Sequence, residues 1–407
     1  MKRELVYMDS KSSKFWSIEL AGSSHTVTYG RIGTTGQSAT KSFPSEEAAR
    51  KDMEKLIREK LGKGYVDAAG SGVGAGAGGA STGATSGAGG LIPPVAFSHI
   101  NRREDVGRNA GTFIGQRVVD YDPEKPVKTD VIYRFRSNWD EANIIPHLEH
   151  FLATNAAAEA VGIVIGAWHG DDPEKTPESV FEVLTKGRDR LPKLAALYVG
   201  DVTSEENEMS WIKQTDLSPL LQAFPKLQLL RSRGGDGLQL TAPRHDQLRA
   251  LALETGGLDV SVIRSICTSQ FPSLEYLELW LGTDEYGANH TVADLQPILS
   301  GRLFPKLKYL GLRNSHLADE LAGVVVNSPI LQQIETLDLS LGVLTDEAGS
   351  ALLNLPASPT LKKLNLHYNY FSPEMVRKLK ALPLTVDASK PSDMEDDDEW
   401  RFVAVGE

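Results

Sequence analysis

The 407-residue chain has one cysteine, Cys267, which excludes an internal disulfide and any zinc site built on cysteines. It has no apolar run approaching a membrane span. Residues Met1 to Tyr7 lack the apolar core of a signal peptide. These absences together point to a cytoplasmic protein. Catalytic signatures are missing as well: there is no phosphate loop, no zincin motif and no nucleophile elbow. The nine histidines are scattered, with no convergent acid, base and nucleophile set. We therefore expect no enzyme, no cofactor and no metal. His147 and His150 have the i, i+3 spacing of a metal pair, but a closed site needs more ligands than the neighbourhood offers.

Charge is divided unevenly. Residues 1–66 carry 12 Lys/Arg against 8 Asp/Glu, and the remainder carries 31 against 46. A mildly basic head on an acidic body predicts different partners for the two parts.

The stretch Leu307 to Asn314 has the pattern L-x-x-L-x-L. Related copies begin at Ala160, Leu194, Leu227, Leu248, Leu274, Ile334 and Leu361, several after a Phe-Pro step. From Leu194 the starts lie 21 to 33 residues apart, around the period of leucine-rich repeats. Three apolar residues so spaced suit a short strand that buries one edge, and copies must stack to bury it. The expectation is a leucine-rich-repeat solenoid over 159–384, with helices near Pro177–Thr185, Asp259–Cys267, Asp319–Val326, Asp346–Asn354 and Pro373–Leu379. Residues 93–158 read as its N-terminal cap, with strands at Gly115–Asp120 and Asp130–Phe135 and a helix from Trp139 to Leu152 interrupted near Pro146. Cys267 falls on an apolar helical stripe and reads as core.

Residues 2–43 read as an antiparallel sheet with strands at Glu4–Met8, Phe15–Leu20, His25–Gly30 and Thr40–Phe43. A helix follows from about Glu46 to Leu61, burying Ala49, Met53, Leu56 and Ile57. The segments Lys14 to Leu20, Val27 to Thr34 and Lys60 to Tyr65 resemble a WGR domain over 1–66. That family is named for a Trp-Gly-Arg motif and occurs in poly(ADP-ribose) polymerases and in bacterial regulators of the MolR type. Here the tripeptide is Tyr29-Gly30-Arg31, so the ring is kept and the indole lost. The resemblance implies an α+β fold in a bacterial protein and a nucleic-acid contact through Tyr29, Gly30, Arg31 and Lys41. An aromatic face can stack on a base or sugar while the cations meet phosphate. A protein contact through the same face stays open. No stretch resembles the polymerases' catalytic domain.

Residues 67–92 form a linker. From Ala68 to Gly90 every residue but Val73 is Gly, Ala, Ser or Thr, too little to build a core. The chain is thus expected to be a WGR domain tethered to an α/β leucine-rich-repeat solenoid with an acidic tail over 385–407. Whether Trp400, Phe402, Val403 and Val405 form a docking strand or a closing cap stays open.

In each repeat strand the x positions point away from the leucines. They are Tyr198, Arg231, Arg233, Glu254, Tyr276, Glu278, Trp280, Tyr309, Arg313, Asp338, Lys363, Asn365 and His367. Aromatic residues and arginine are the composition of binding hot spots, so Tyr198, Arg231, Arg233, Tyr276, Trp280, Tyr309 and Arg313 are expected to hold a protein partner on a concave face. The loop acids Asp171, Asp172, Glu174, Asp201, Glu205, Glu206, Glu208, Asp284 and Glu285 would favour a basic partner if they share a rim. The reading is a non-enzymatic adaptor or regulator: the head on DNA, the repeats on a protein, no membrane. The alternative is a protein-only scaffold, inhibitor or immunity protein.

Overall fold

The computed structural model comprises two compact units, 1–88 and 89–407. It describes residues 2–8, 13–31, 37–43, 45–47, 49–51, 53, 57, 66–67, 106–137, 144–170, 172, 174–241, 244–392 and 401–406. The expected linker Ala68–Gly90, the expected helix start at Trp139, and Leu56, Asp171 and Trp400 lie outside the described residues.

In the first unit, β1 (Lys2–Met8), β2 (Ser13–Ala21), β3 (Ser24–Arg31), β4 (Gln37–Ser42) and β5 (Val66–Asp67) form one sheet in the order β4-β3-β2-β1-β5. All neighbours are antiparallel. Gly22, at φ +57°, supplies the left-handed backbone that the two-residue β2–β3 loop needs. Alternation on β2 puts Trp16, Ile18 and Leu20 on one face. All three are buried against Ala49, Met53 and Ile57, which are helical and four residues apart. The strand β5 had no signal in the sequence, since two residues carry no period.

The second unit holds one open twelve-stranded sheet. Its strands are β6 (Thr112–Phe113), β7 (Gln116–Asp120), β8 (Ile132–Phe135), β9 (Gly162–Ile165), β10 (Ala196–Val199), β11 (Leu229–Arg233), β12 (Ala250–Glu254), β13 (Tyr276–Gly282), β14 (Tyr309–Ser315), β15 (Thr336–Asp338), β16 (Lys363–Asn365) and β17 (Thr385–Asp387). They lie side by side in chain order. Every pairing from β7 to β17 is parallel, and only β6 runs antiparallel to its neighbour. The sheet is continuous from the expected cap into the repeats.

Register explains why leucine recurs. Ile163, Leu197, Leu230, Leu251, Leu277, Leu310, Leu337 and Leu364 are consecutive partners across the strands, and each is fully buried. Two residues on, Leu253, Leu279 and Leu312 make a parallel row. Each strand leans on the next at about 4.8 Å, so an apolar residue missing from one strand is felt by two. Helices close this face: Glu178–Lys186, Val260–Thr268, Ala318–Val325, Asp346–Leu352 and Pro373–Lys380. Cys267 packs beside this core, half-buried, and burial pushes its thiol up to about 11.

The residues just before the strands form a second, electrostatic ladder: Arg249, Glu275, Lys308, Glu335 and Lys362. Each N–H donates to the preceding member's carbonyl. Their charges alternate and pair: Arg249–Glu275 at 2.8 Å, Lys308–Glu275 at 3.8 Å and Lys362–Glu335 at 2.8 Å.

The helix expected over Trp139 to Leu152 is described as Ile145–Ala153. Pro146 does not interrupt it: it sits in the first turn, where no intrahelical N–H is lost.

Candidate functional site

In the first unit the candidate residues lie on two adjacent strands. Tyr29, Gly30 and Arg31 occupy the end of β3, opposite Trp16, Phe15 and Lys14 of β2. The side chains of Tyr29 and Arg31 lie outside the described residues. Lys41 is exposed on β4, its ammonium 4.8 Å from the centre of the Phe43 ring. Its register partner is His25, six residues up β3 from Arg31, or roughly 20 Å along the strand. The structure therefore separates Lys41 from Tyr29–Arg31. In its place register sets Lys14 directly opposite Arg31. Sequence reading missed Lys14, because its pairing depends on hairpin register.

In the second unit, six of the seven residues expected on an open face are buried. Tyr198, Arg231, Arg233, Tyr276, Trp280 and Arg313 are each at most 5% exposed, and Tyr309 is half-buried. They do lie away from the leucines, but they pair with one another. Tyr198, Arg231, Ala252, Glu278, Gly311 and Asp338 are consecutive partners across β10 to β15. Small residues at 252 and 311 leave room for long neighbours; a Cβ at Gly311 would lie 3.0 Å from the Tyr309 ring.

Two ionic clusters fill this face. In the first, Arg231 and Arg233 share Glu254, at 2.5 and 3.0 Å. The Arg231 guanidinium also lies 4.2 Å from the Tyr198 ring centre. Burial disfavours the charge on Arg231, but Glu254, Tyr198, Glu278 and Asp201 together outweigh it and the pKa is raised. In the second, Glu278 accepts from Trp280 Nε1 at 2.8 Å, from Arg313 Nη1 at 2.8 Å and from the Tyr276 hydroxyl. Tyr309 donates to Asp338 at 2.7 Å, and its ring stacks on Tyr276 with centres 4.0 Å apart. Burial, with Glu278 beside it, pushes the Tyr276 hydroxyl well above its usual range. These side chains pair largely with one another and are not a set of open hot spots, although the Tyr198 hydroxyl and Arg233 Nη2 are buried without a hydrogen-bond partner among the described residues.

Two distant segments help cover the face. Phe113 lies 6.0 Å from Tyr198, ring centre to centre. Val106, Ala404 and Val405 pack with Trp280 and Leu341. Residues 401–406 form no strand, and Val405 covers this face, the closing-cap arrangement of the two left open for this segment. The cover by Val106 and Phe113 had no signal in the sequence.

The loop acids divide. Asp201 is buried: it accepts from the Ala110 N–H at 3.0 Å and pairs with Arg134 at 2.9 Å. Glu206 pairs with Arg136, and Glu174 with Lys213 at 2.9 Å. Asp172, Glu205, Glu208, Asp284 and Glu285 stay exposed. Trp211 is 59% exposed beside Glu208. His150 meets the Tyr121 hydroxyl at 2.7 Å, and among the described residues no three potential ligands converge as a metal site.

Comparison with known proteins matches residues 1–72 to the WGR domain. The chain is 46% identical over 65 residues to the uncharacterized protein YfeS of Escherichia coli K12, which is 16% of this chain and 27% of that protein. It is 46% identical over 67 residues to protein YehF of the same organism, 16% of this chain and 24% of that one. The chain thus spans about a quarter of the length of these relatives. A crystal structure of a Bacteroides fragilis protein covers 99% of both chains, with 31% identity and a TM-score of 0.62. Among the described residues no helix is long and apolar enough to cross a membrane.

Proposed function

From a chain that begins with a WGR domain and belongs to one family with the Bacteroides fragilis protein, we propose a non-enzymatic adaptor or regulator. The first unit contacts nucleic acid, and the second, a leucine-rich-repeat solenoid, holds a protein partner. One observation carries the first half: the Tyr29-Gly30-Arg31 motif of a WGR domain ends β3 with Arg31 opposite Lys14. A ring to stack and two adjacent cations suit a nucleic-acid backbone. Lys41 plays a lesser part, since it lies at the far end of the sheet.

The repeat reading is supported by one L-x-x-L-x-L unit or related copy on each strand from β9 to β16, and by parallel strands in chain order. With Tyr198, Arg231, Arg233, Tyr276, Trp280 and Arg313 buried, partner contact moves to the loops after the strands, where Trp211, Glu208, Asp284 and Glu285 are exposed.

The test is binding of the full chain to blunt, nicked and single-stranded DNA at two salt concentrations. Neutralising a few phosphates makes affinity fall with salt, and Arg31→Ala is expected to weaken binding about tenfold, one charge-assisted contact's worth. Binding indifferent to salt and to this substitution removes the nucleic-acid half. The protein-only scaffold reading has one specific support, the 46 Asp/Glu against 31 Lys/Arg after residue 66; a co-purified protein partner with no DNA binding would favour it. In either case Trp211→Ala is expected to reduce the amount of partner recovered.

A further inference from the structure

The last described residues, 401–406, lie across the loops that follow the strands, and each is gripped. Arg401 pairs with Asp319 at 3.2 Å. The Phe402 N–H donates to the Tyr370 hydroxyl at 3.1 Å, and that hydroxyl donates to the Phe402 carbonyl at 3.0 Å. Ala404 N–H donates to the Leu341 carbonyl at 2.9 Å. Val405 N–H donates to Asn314 Oδ1 at 3.0 Å, while Asn314 Nδ2 donates back to the Val405 carbonyl. Ser210 Oγ donates to the Gly406 carbonyl. Val403, Ala404 and Val405 are buried, and Phe402 is 65% exposed.

The track beneath is strained in a regular way. Asn314, Leu341, Tyr368 and Lys390 have φ between +49° and +66°. Each stands four residues after the aligned Leu310, Leu337, Leu364 and Val386 of β14 to β17. A left-handed leucine costs about 1–2 kcal/mol and recurs only where something holds it. The first two of these residues hold the strap, one through its side chain and one through its carbonyl.

We propose that this row is a peptide-binding track whose resident occupant is the chain's own strap, and that an extended basic segment of a protein partner displaces it. The grip is on backbone and on small apolar side chains, which is how extended peptides are held. Charge at the far end selects the partner. Gly406 touches Ser210 and packs toward the Tyr286 ring, 3.1 Å from a Cβ placed on it. Close in sequence to Ser210 and Tyr286 are Glu208, Asp284 and Glu285, all exposed. A Lys or Arg at this point complements these three carboxylates in charge, whereas this chain has Glu407. The strap is thereby a weak occupant that a basic competitor outbids. This inference rests on the reading that the second unit holds a protein.

Two measurements test it. In the intact chain, amide exchange at Ala404 and Val405 is expected to be at least about 100-fold faster than at Leu310 and Leu312, because the strap opens without the sheet. Equal protection makes the strap part of the cooperative fold and overturns the proposal. Separately, a chain ending at Ser392 is expected to bind a labelled peptide of sequence 401–407, and the intact chain to bind it at least about tenfold more weakly. A Lys in place of Glu407 in the peptide should tighten binding about tenfold at low salt, a gain lost at high salt. Asn314→Gly removes the amide clamp while suiting the left-handed backbone, and should abolish peptide binding without unfolding the chain. A folded shortened chain that ignores the peptide overturns the track. A partner that still co-purifies with the Asn314→Gly chain keeps the protein-binding reading and removes only the track.

Discussion

The two faces of the large sheet are built from the same strands and hold together by different physics. On one, leucines from seven successive strands meet helices, and burial is its own reward, at roughly 25 cal/mol per Å² of apolar surface. On the other, Arg231, Arg233, Glu254, Glu278 and Arg313 are as deeply buried as the leucines, yet each pays desolvation and is tolerated only because its partners are in place. The apolar face is robust to a change of shape. The ionic face is specific: it asks for particular partners at particular register positions.

That contrast can be broken most severely at Glu278. Glu278→Ala removes the acceptor shared by Trp280, Arg313 and Tyr276, leaving a buried guanidinium with less compensation. The expected loss is about 3–5 kcal/mol in denaturant unfolding. Replacing Glu278 and Arg313 together by Met should recover most of it, because an apolar pair has no charge to strand. If the double variant is no better than the single one, the cluster is not held by charge pairing.

Leu310→Ala, one strand away on the opposite face, is expected to cost about 2–5 kcal/mol from lost burial and a cavity. Unlike the Glu278 loss, this one should not be rescued by any single change among the ionic residues. Neither loss should respond strongly to salt, because both sites are buried.

The smallest effect belongs to an ion outside both faces. Asp294 accepts from the Thr291 amide at 3.0 Å and from its hydroxyl at 2.9 Å, and pairs with Arg264 at 2.9 Å. The Thr291 hydrogen bonds, with help from Arg264, lower its pKa from 3.8 to about 2. The folded value lies below the unfolded one, so its contribution is complete above about pH 4 and disappears as the pH falls toward 2. In thermal melts, Asp294→Asn should flatten the decline in Tm over that window and leave the neutral range nearly parallel to the parent. An unchanged acid limb would show that this carboxylate is not coupled to folding.

Part of this architecture was legible in the chain. The leucines at Leu277, Leu310 and Leu337 announce their strands because burial repeats with the period of the backbone. Ala49, Met53 and Ile57 do the same for the helix of the first unit. The mistaken reading concerned exposure. Alternation tells which side of a strand Arg231 or Trp280 takes, but not what else lies on that side. Chemistry groups Lys41 with Arg31, but hairpin register sets Lys41 of β4 beside His25, at the opposite end of β3 from Arg31.

The sequence alone determined the strand units and their leucine face, the WGR likeness of the head and the division of charge between the two parts. Tertiary structure alone decided which polar residues are buried and which stay open. That choice depends on pairs far apart in the chain: Ala110 with Asp201, and Asn314 with Val405, are each separated by 91 residues. Local periodicity carries no information about such contacts, because they are fixed by the stacking of many strands and by where the ends of the unit come to lie.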